Sequence, residues 1–129
     1  MGSRKIDSIR KDVDHYFGYI FNKGFNIRNV EYSQQFFGNW VVELESRNSI
    51  IYLTNDRNSL ILEFCSMKNL DVRNRVSIEK MIFILSDGKT IVEPFKGNLA
   101  WGKKKQLERL SDLLKRYIDK IMSHFNNTE

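Results

Sequence analysis

The sequence predicts an α+β fold: an antiparallel β-meander of three to four strands, with an N-terminal helix and C-terminal helices packed on one sheet face. Three observations predict it. Apolar residues recur at helical spacing near both ends of the chain. Between residues 39 and 64, three apolar runs are separated by short polar breaks, Ser46–Ser49 and Asn55–Asn58. The hairpin registers that those breaks imply place the same side chains on one face.

At the start, Ile6, Ile9, Val13, Tyr16, Phe17 and Ile20 lie three or four apart, which is one stripe of a helix over residues 4–22. Gly24 supplies a stop, because glycine adopts the left-handed conformation that ends helices. The stretch FNIRNVEYSQQ is weakly patterned and reads as an edge strand over Ile27–Gln34, followed by a turn at Phe37-Gly38-Asn39.

A two-residue loop at Arg47-Asn48 pairs Leu44 with Ile51 and Val42 with Leu53. A second at Asp56-Arg57 pairs Leu53 with Leu60 and Ile51 with Leu62. Both put Val42, Leu44, Ile51, Leu53, Leu60 and Leu62 on one side, and a slip of one residue would send half of them to solvent. Trp40 falls on the same side and reads as core. The opposite side then carries Glu43, Tyr52 and Ile61 in one row, with Glu45, Ile50 and Glu63 in the next. That mixture suits the wetter face of an antiparallel sheet.

Beyond Ser66 the chain turns polar. Ser77 is placed to cap a short helix whose stripe is Ile78, Met81, Ile82 and Leu85. Asp87-Gly88 reads as a turn, and Pro94 argues against a central strand in KTIVEPF. Over residues 103–125, Leu107, Leu110, Leu113, Leu114, Tyr117, Ile118, Ile121 and Phe125 form a continuous stripe broad enough to cover a sheet.

The chain has 129 residues, which predicts a single domain over 1–129. Its net charge of +5 arises from 21 basic and 16 acidic residues, and the longest basic run is Lys103–Lys105. Dedicated nucleic-acid binders concentrate more positive charge on one face. The lone cysteine, Cys65, excludes an intrachain disulfide and fits a reducing compartment, so a cytoplasmic location is expected. No segment reaches the roughly 18 apolar residues of a membrane helix. The N-terminus lacks the apolar core of a secretion signal, and Ile6 stands where myristoylation requires Ser or Thr.

Motifs with catalytic content are lacking. The two histidines, His15 and His124, sit far apart with no cysteine pair nearby, so no metal and no cofactor are expected. Cys65 has no adjacent base to activate it. Glu43, Glu45 and Glu63 share the outer sheet side, where carboxylates are ordinarily solvated rather than acid–base catalysts. No phosphate-cradling glycine loop or nucleophile elbow occurs. The chain therefore reads as a non-enzyme.

The residues offered for binding are Asp56 and Arg57 at a hairpin tip, Tyr52 on the outer side, and Trp101 ahead of the last helix. Loop tips on a rigid scaffold often carry contacts, and a few aromatic or arginine anchors dominate protein interfaces. Tyr52, Ile61 and Ile50 together would form an apolar row able to meet a protein partner or a second copy as a homodimer. A nucleic-acid-binding module is the alternative, with Lys103, Lys104 and Lys105 contacting the backbone and Trp101 stacking on bases.

One resemblance spans most of the chain. It rests on the first helix ending in Gly24-Phe25, on Phe37-Gly38-Asn39-Trp40, on Asn55-Asp56-Arg57 between two apolar strands, and on the long final helix. In this order of features the chain resembles small uncharacterised bacterial α+β domains, some of them immunity proteins of polymorphic toxin systems. Here Asn58 follows the Asp-Arg pair, where those domains usually carry glycine. The resemblance implies an intracellular, non-enzymatic protein-binding role, with a toxin domain as one kind of partner. It carries no catalytic residue onto this sequence.

Overall fold

A computed structural model describes residues 2–93 and 102–127, with side chains from residue 4 onward. Helix α1 (Gly2–Phe17) continues as a 3₁₀ segment over Gly18–Lys23. Its predicted stripe is the buried one: Ile9, Val13, Phe17 and Ile20 are all enclosed. Gly24 ends it at φ 95°, and the Phe25 N–H reaches back to the Ile20 carbonyl at 3.3 Å. This closure satisfies the last carbonyls and drops Phe25 into the core.

Five strands follow in simple meander order: β1 (Asn26–Ser33), β2 (Asn39–Glu45), β3 (Ser49–Asp56), β4 (Ser59–Ser66) and the two-residue β5 (Val76–Ser77). All are antiparallel to their neighbours. The sheet thus has one strand more than the expected three to four. Ser77 serves twice, pairing with Glu63 in β5 and accepting the Lys80 N–H as cap of helix α2 (Ile78–Leu85). Lys89–Glu93 form no strand, and Pro94 lies outside the described residues. Helix α3 (Lys103–Asn126) closes the chain.

The first hairpin has the expected register, with Leu44 opposite Ile51 and Val42 opposite Leu53. The second is displaced by two residues: Leu53 faces Leu62 and Ile51 faces Phe64, so the turn is Arg57-Asn58 rather than Asp56-Arg57. Two causes favour this register. Asn58 at φ 69° occupies the left-handed position that asparagine tolerates, while Arg57 takes φ 51°. The shift also brings Phe64, fully buried, against Ile51. Because a displacement of two preserves facing, the six inward side chains remain together and buried.

Helix α3 runs the length of the sheet and is tied at both ends. Near its start, Gln106 accepts the Leu60 N–H at 2.8 Å and donates to the Asn58 carbonyl at 2.7 Å. At its end, Asn126 accepts a hydrogen bond from Asn48 in the β2–β3 turn. Contacts with α1 and its 3₁₀ continuation advance in step: Asp12 with Lys103, Tyr19 with Ser111, Lys23 with Asp119. The two helices therefore run parallel. Glu79 of α2 pairs with Arg109 at 3.0 Å on the other flank, with both side chains largely covered. All helices lie on one sheet face, as expected.

The opposite face is half covered. After β4, residues 67–75 fold back over it. Met67 packs against Ile50, Tyr52 and Cys65, which form a second small buried cluster. The Cys65 thiol points to the Asn69 carbonyl at 3.2 Å. Asp71 caps the short 3₁₀ turn Val72–Asn74, and the Arg73 guanidinium holds its carboxyl below the usual range.

Candidate partner-binding surface

The two-residue displacement rewrites the outer rows. They are now Glu31–Val41–Thr54–Ile61, then Asn29–Glu43–Tyr52–Glu63, then Glu45–Ile50–Cys65. Tyr52 loses its expected role as an exposed anchor. It is 6% exposed, and the Arg75 guanidinium lies 3.6 Å from its ring centroid. Ile50 is fully buried, so the expected apolar row of Tyr52, Ile61 and Ile50 does not exist as a free surface. Only Ile61 of the three is open.

Asp56 and Arg57 are exposed, and the fold brings a second turn beside them. The Asn39 side chain forms the link. Its carbonyl accepts the Arg57 N–H at 2.8 Å, and its amide donates to Asp56 Oδ1 at 3.2 Å. Asn39 starts β2, so the β1–β2 and β3–β4 turns are held as one unit. On the first turn, Phe36 and Phe37 are 62% and 72% exposed. The Arg57 guanidinium stacks on the Phe37 ring at 4.5 Å. Phe37 also sits at φ 60°, a conformation that costs a bulky residue and that glycine or asparagine would adopt more easily.

Lys103, Lys104 and Lys105 belong to the same end of the molecule, because Gln106 fastens the start of α3 to the β3–β4 turn. Lys103 is engaged with Asp12 at 2.9 Å. Trp101 lies outside the described residues. Sequence reasoning missed Phe36 and Phe37. Their signal was present: two adjacent phenylalanines directly ahead of Gly38-Asn39, where a turn has no core to fill.

Charge is segregated between the layers. Every charged strand residue lies on the outer face: Arg28, Glu31, Glu43, Glu45, Asp56 and Glu63. Arg28 sits at a bulge and reaches Glu43 at 3.7 Å and Glu45 at 3.9 Å. Helix α3, in contrast, carries seven basic and three acidic residues. Glu43 and Glu63 stand on either side of Tyr52, on which Arg75 stacks, and both are half-buried.

His15 is exposed and meets Tyr16 edge-on, and His124 meets Phe125 in the same way. Among the described residues, no three His, Cys, Asp or Glu side chains are grouped to hold a metal ion, and no helix is long and apolar enough to cross a membrane. Comparison with protein-family models, curated proteins and solved structures found no match.

Proposed function

We propose that the chain is a non-enzymatic intracellular protein-binding module, immunity-like in kind, that meets its partner with the double-turn end of the sheet. The observation that carries this reading is the exposed pair Phe36 and Phe37, tied to Arg57 on a rigid frame. Exposed phenylalanines gain nothing from solvent. Aromatic and arginine side chains held rigid are the residues that dominate protein interfaces. A toxin domain is one partner that would fit the resemblance in the sequence.

The conformation of Phe37 sharpens the test. Phe37→Asn should leave stability unchanged or raise it by up to about 1 kcal/mol, since asparagine tolerates positive φ. Combined with Phe36→Ser, it should reduce partner recovery from the native host by at least about tenfold, as loss of two interface anchors implies. Thermal melts and quantitative co-purification read the two arms. A melt raised or unchanged, together with lost capture, separates a binding role from a structural one. Equal capture by wild type and variant would contradict the proposal.

A second reading draws on the basic run. Lys103, Lys104, Lys105 and Arg57 share one end with two exposed aromatic rings, a combination that also suits single-stranded nucleic acid. Such binding should weaken steeply between 50 and 200 mM salt. Anisotropy of a labelled single-stranded oligonucleotide tests it, and absence of binding at the lower salt removes it. Against it stands the acidic outer face immediately beside the turns, which repels phosphates.

A further inference from the structure

The outer face shows one half covered by the chain itself and one half open. On the covered half, residues 67–75 lie over Ile50, Tyr52 and Cys65, and the arginine of that segment, Arg75, stacks on Tyr52. The row beneath it places Glu43 and Glu63 on either side. A guanidinium from an irregular segment thus lies on an aromatic ring in a row that also carries carboxylates, of which Glu43 is reached by Arg28 at 3.7 Å. This choice is physically apt, because a guanidinium is weakly hydrated, lies flat on apolar or aromatic surface, and pairs with carboxylates through its edge.

The open half repeats the pattern without its cover. A shallow groove of about 310 Å³ runs between the β1 side and the β3–β4 turn, lined by Glu31, Val41, Thr54, Asp56 and Ile61 among others. Ile61 is 39% exposed there. Glu31 accepts a hydrogen bond from Asn29, and Asp56 accepts one from Asn39. Among the described residues, no basic side chain pairs with either carboxylate. Glu31 is on β1 and Asp56 on β3, two strands apart and two residues apart along the strand direction, so their backbones stand roughly 12 Å apart.

We propose that this open half seats an arginine-bearing extended segment of the protein partner, in the way that residues 67–75 seat on the covered half. The proposal rests on the protein-binding reading above and names the chemistry of the partner. Charge complementarity selects the occupant: the groove offers two carboxylates over an apolar floor. Their separation matches arginines four residues apart in a polyproline-type strand, at about 3.1 Å per residue. The groove adjoins Phe36, Phe37 and Arg57, so one partner can cover both.

The test uses the intact chain and a fluorescein-labelled peptide containing Arg-Ala-Ala-Ala-Arg, with a citrulline version as the neutral control. Amide shifts on titration should concentrate on Glu31, Val41, Thr54 and Ile61. Affinity should fall at least fivefold for the citrulline peptide and for Glu31→Gln combined with Asp56→Asn. Both substitutions retain the oxygens that Asn29 and Asn39 bond, so the fold is preserved, and its spectrum checks this directly. Shifts scattered over helix carboxylates such as Asp7 and Asp119, or unchanged affinity in the double variant, would overturn the proposal. Capture from the native host separates this outcome from the broader one. If Phe36→Ser with Phe37→Asn abolishes capture while the groove variant does not, the arginine segment is refuted and the protein-binding reading stands. If neither variant alters capture, both fall.

Discussion

Leu53→Ala should destabilise the protein by about 3 kcal/mol, within the range of roughly 2–5 kcal/mol for emptying a fully buried leucine site. Leu53 lies on the central strand β3, has no exposed surface, and is flanked by Val42 on β2 and Leu62 on β4. Helices cover it from above. Neighbours held by two strands and a helical layer cannot collapse into the vacated volume, so a cavity term adds to the lost transfer energy. Thr54, the next residue, points to the open side and is only partly buried. Thr54→Ala should therefore change stability by less than about 1 kcal/mol. Urea unfolding reads both, with the slope unchanged if the loss is in the native state. Similar costs at the two positions would contradict the facing of β3.

The second large effect is expected at Gln106, a polar residue inside the helical stripe that is 2% exposed. Its side chain completes the backbone of the β3–β4 turn, accepting from Leu60 and donating to Asn58. Strand β5 pairs with β4 only at Glu63 and Phe64, so the Leu60 N–H has no strand partner on that side. Gln106→Ala leaves that donor and the Asn58 carbonyl without their partner. A buried unsatisfied group costs about 1–3 kcal/mol, and about 2 kcal/mol is expected here. Exchange of the Leu60 amide should accelerate more than that of Leu62. Gln106→Glu retains the acceptor for Leu60 but turns a carboxylate oxygen toward the Asn58 carbonyl, so it should not restore full stability. A wild-type melt for either variant would show that α3 is not fastened to the turn by this residue.

Much of the fold was readable because period and burial agree. The stripes of α1 and α3 and the alternation in β2 each bury one set of residues, and no second assignment buries as many. The register of the second hairpin was not readable to within two residues, since a shift of two leaves every side chain on its own face. Its decision rests on turn chemistry at Asn58 and on the gain from Phe64, both weaker signals than alternation. Strand β5 escaped because two residues carry no period. The candidate surface was harder. Asp56 and Arg57 could be placed on a tip, but their link through Asn39 joins residues distant in sequence. Tyr52 was misplaced because nothing local shows that residues 67–75 return over the sheet with Arg75. The turn at Phe37-Gly38-Asn39 was readable, but a turn alone does not show that neither Phe36 nor Phe37 folds its ring back onto the core.

The open groove, the burial of Tyr52 and the position of Arg57 all depend on how β3 pairs with β4. Cross-strand contacts between α-protons measure that pairing directly in solution. A two-residue turn at Arg57-Asn58 is closed by a hydrogen-bonded pair, and alternation then makes Asn55–Leu60 and Leu53–Leu62 the close, non-hydrogen-bonded pairs. Strong nuclear Overhauser effects between the α-protons of Leu53 and Leu62, and of Asn55 and Leu60, are the expected result. Effects joining Thr54 to Ser59 and Tyr52 to Ile61 instead would move the turn to Asp56-Arg57, shift Ile61 alongside Tyr52, and contradict the surface proposed for the partner.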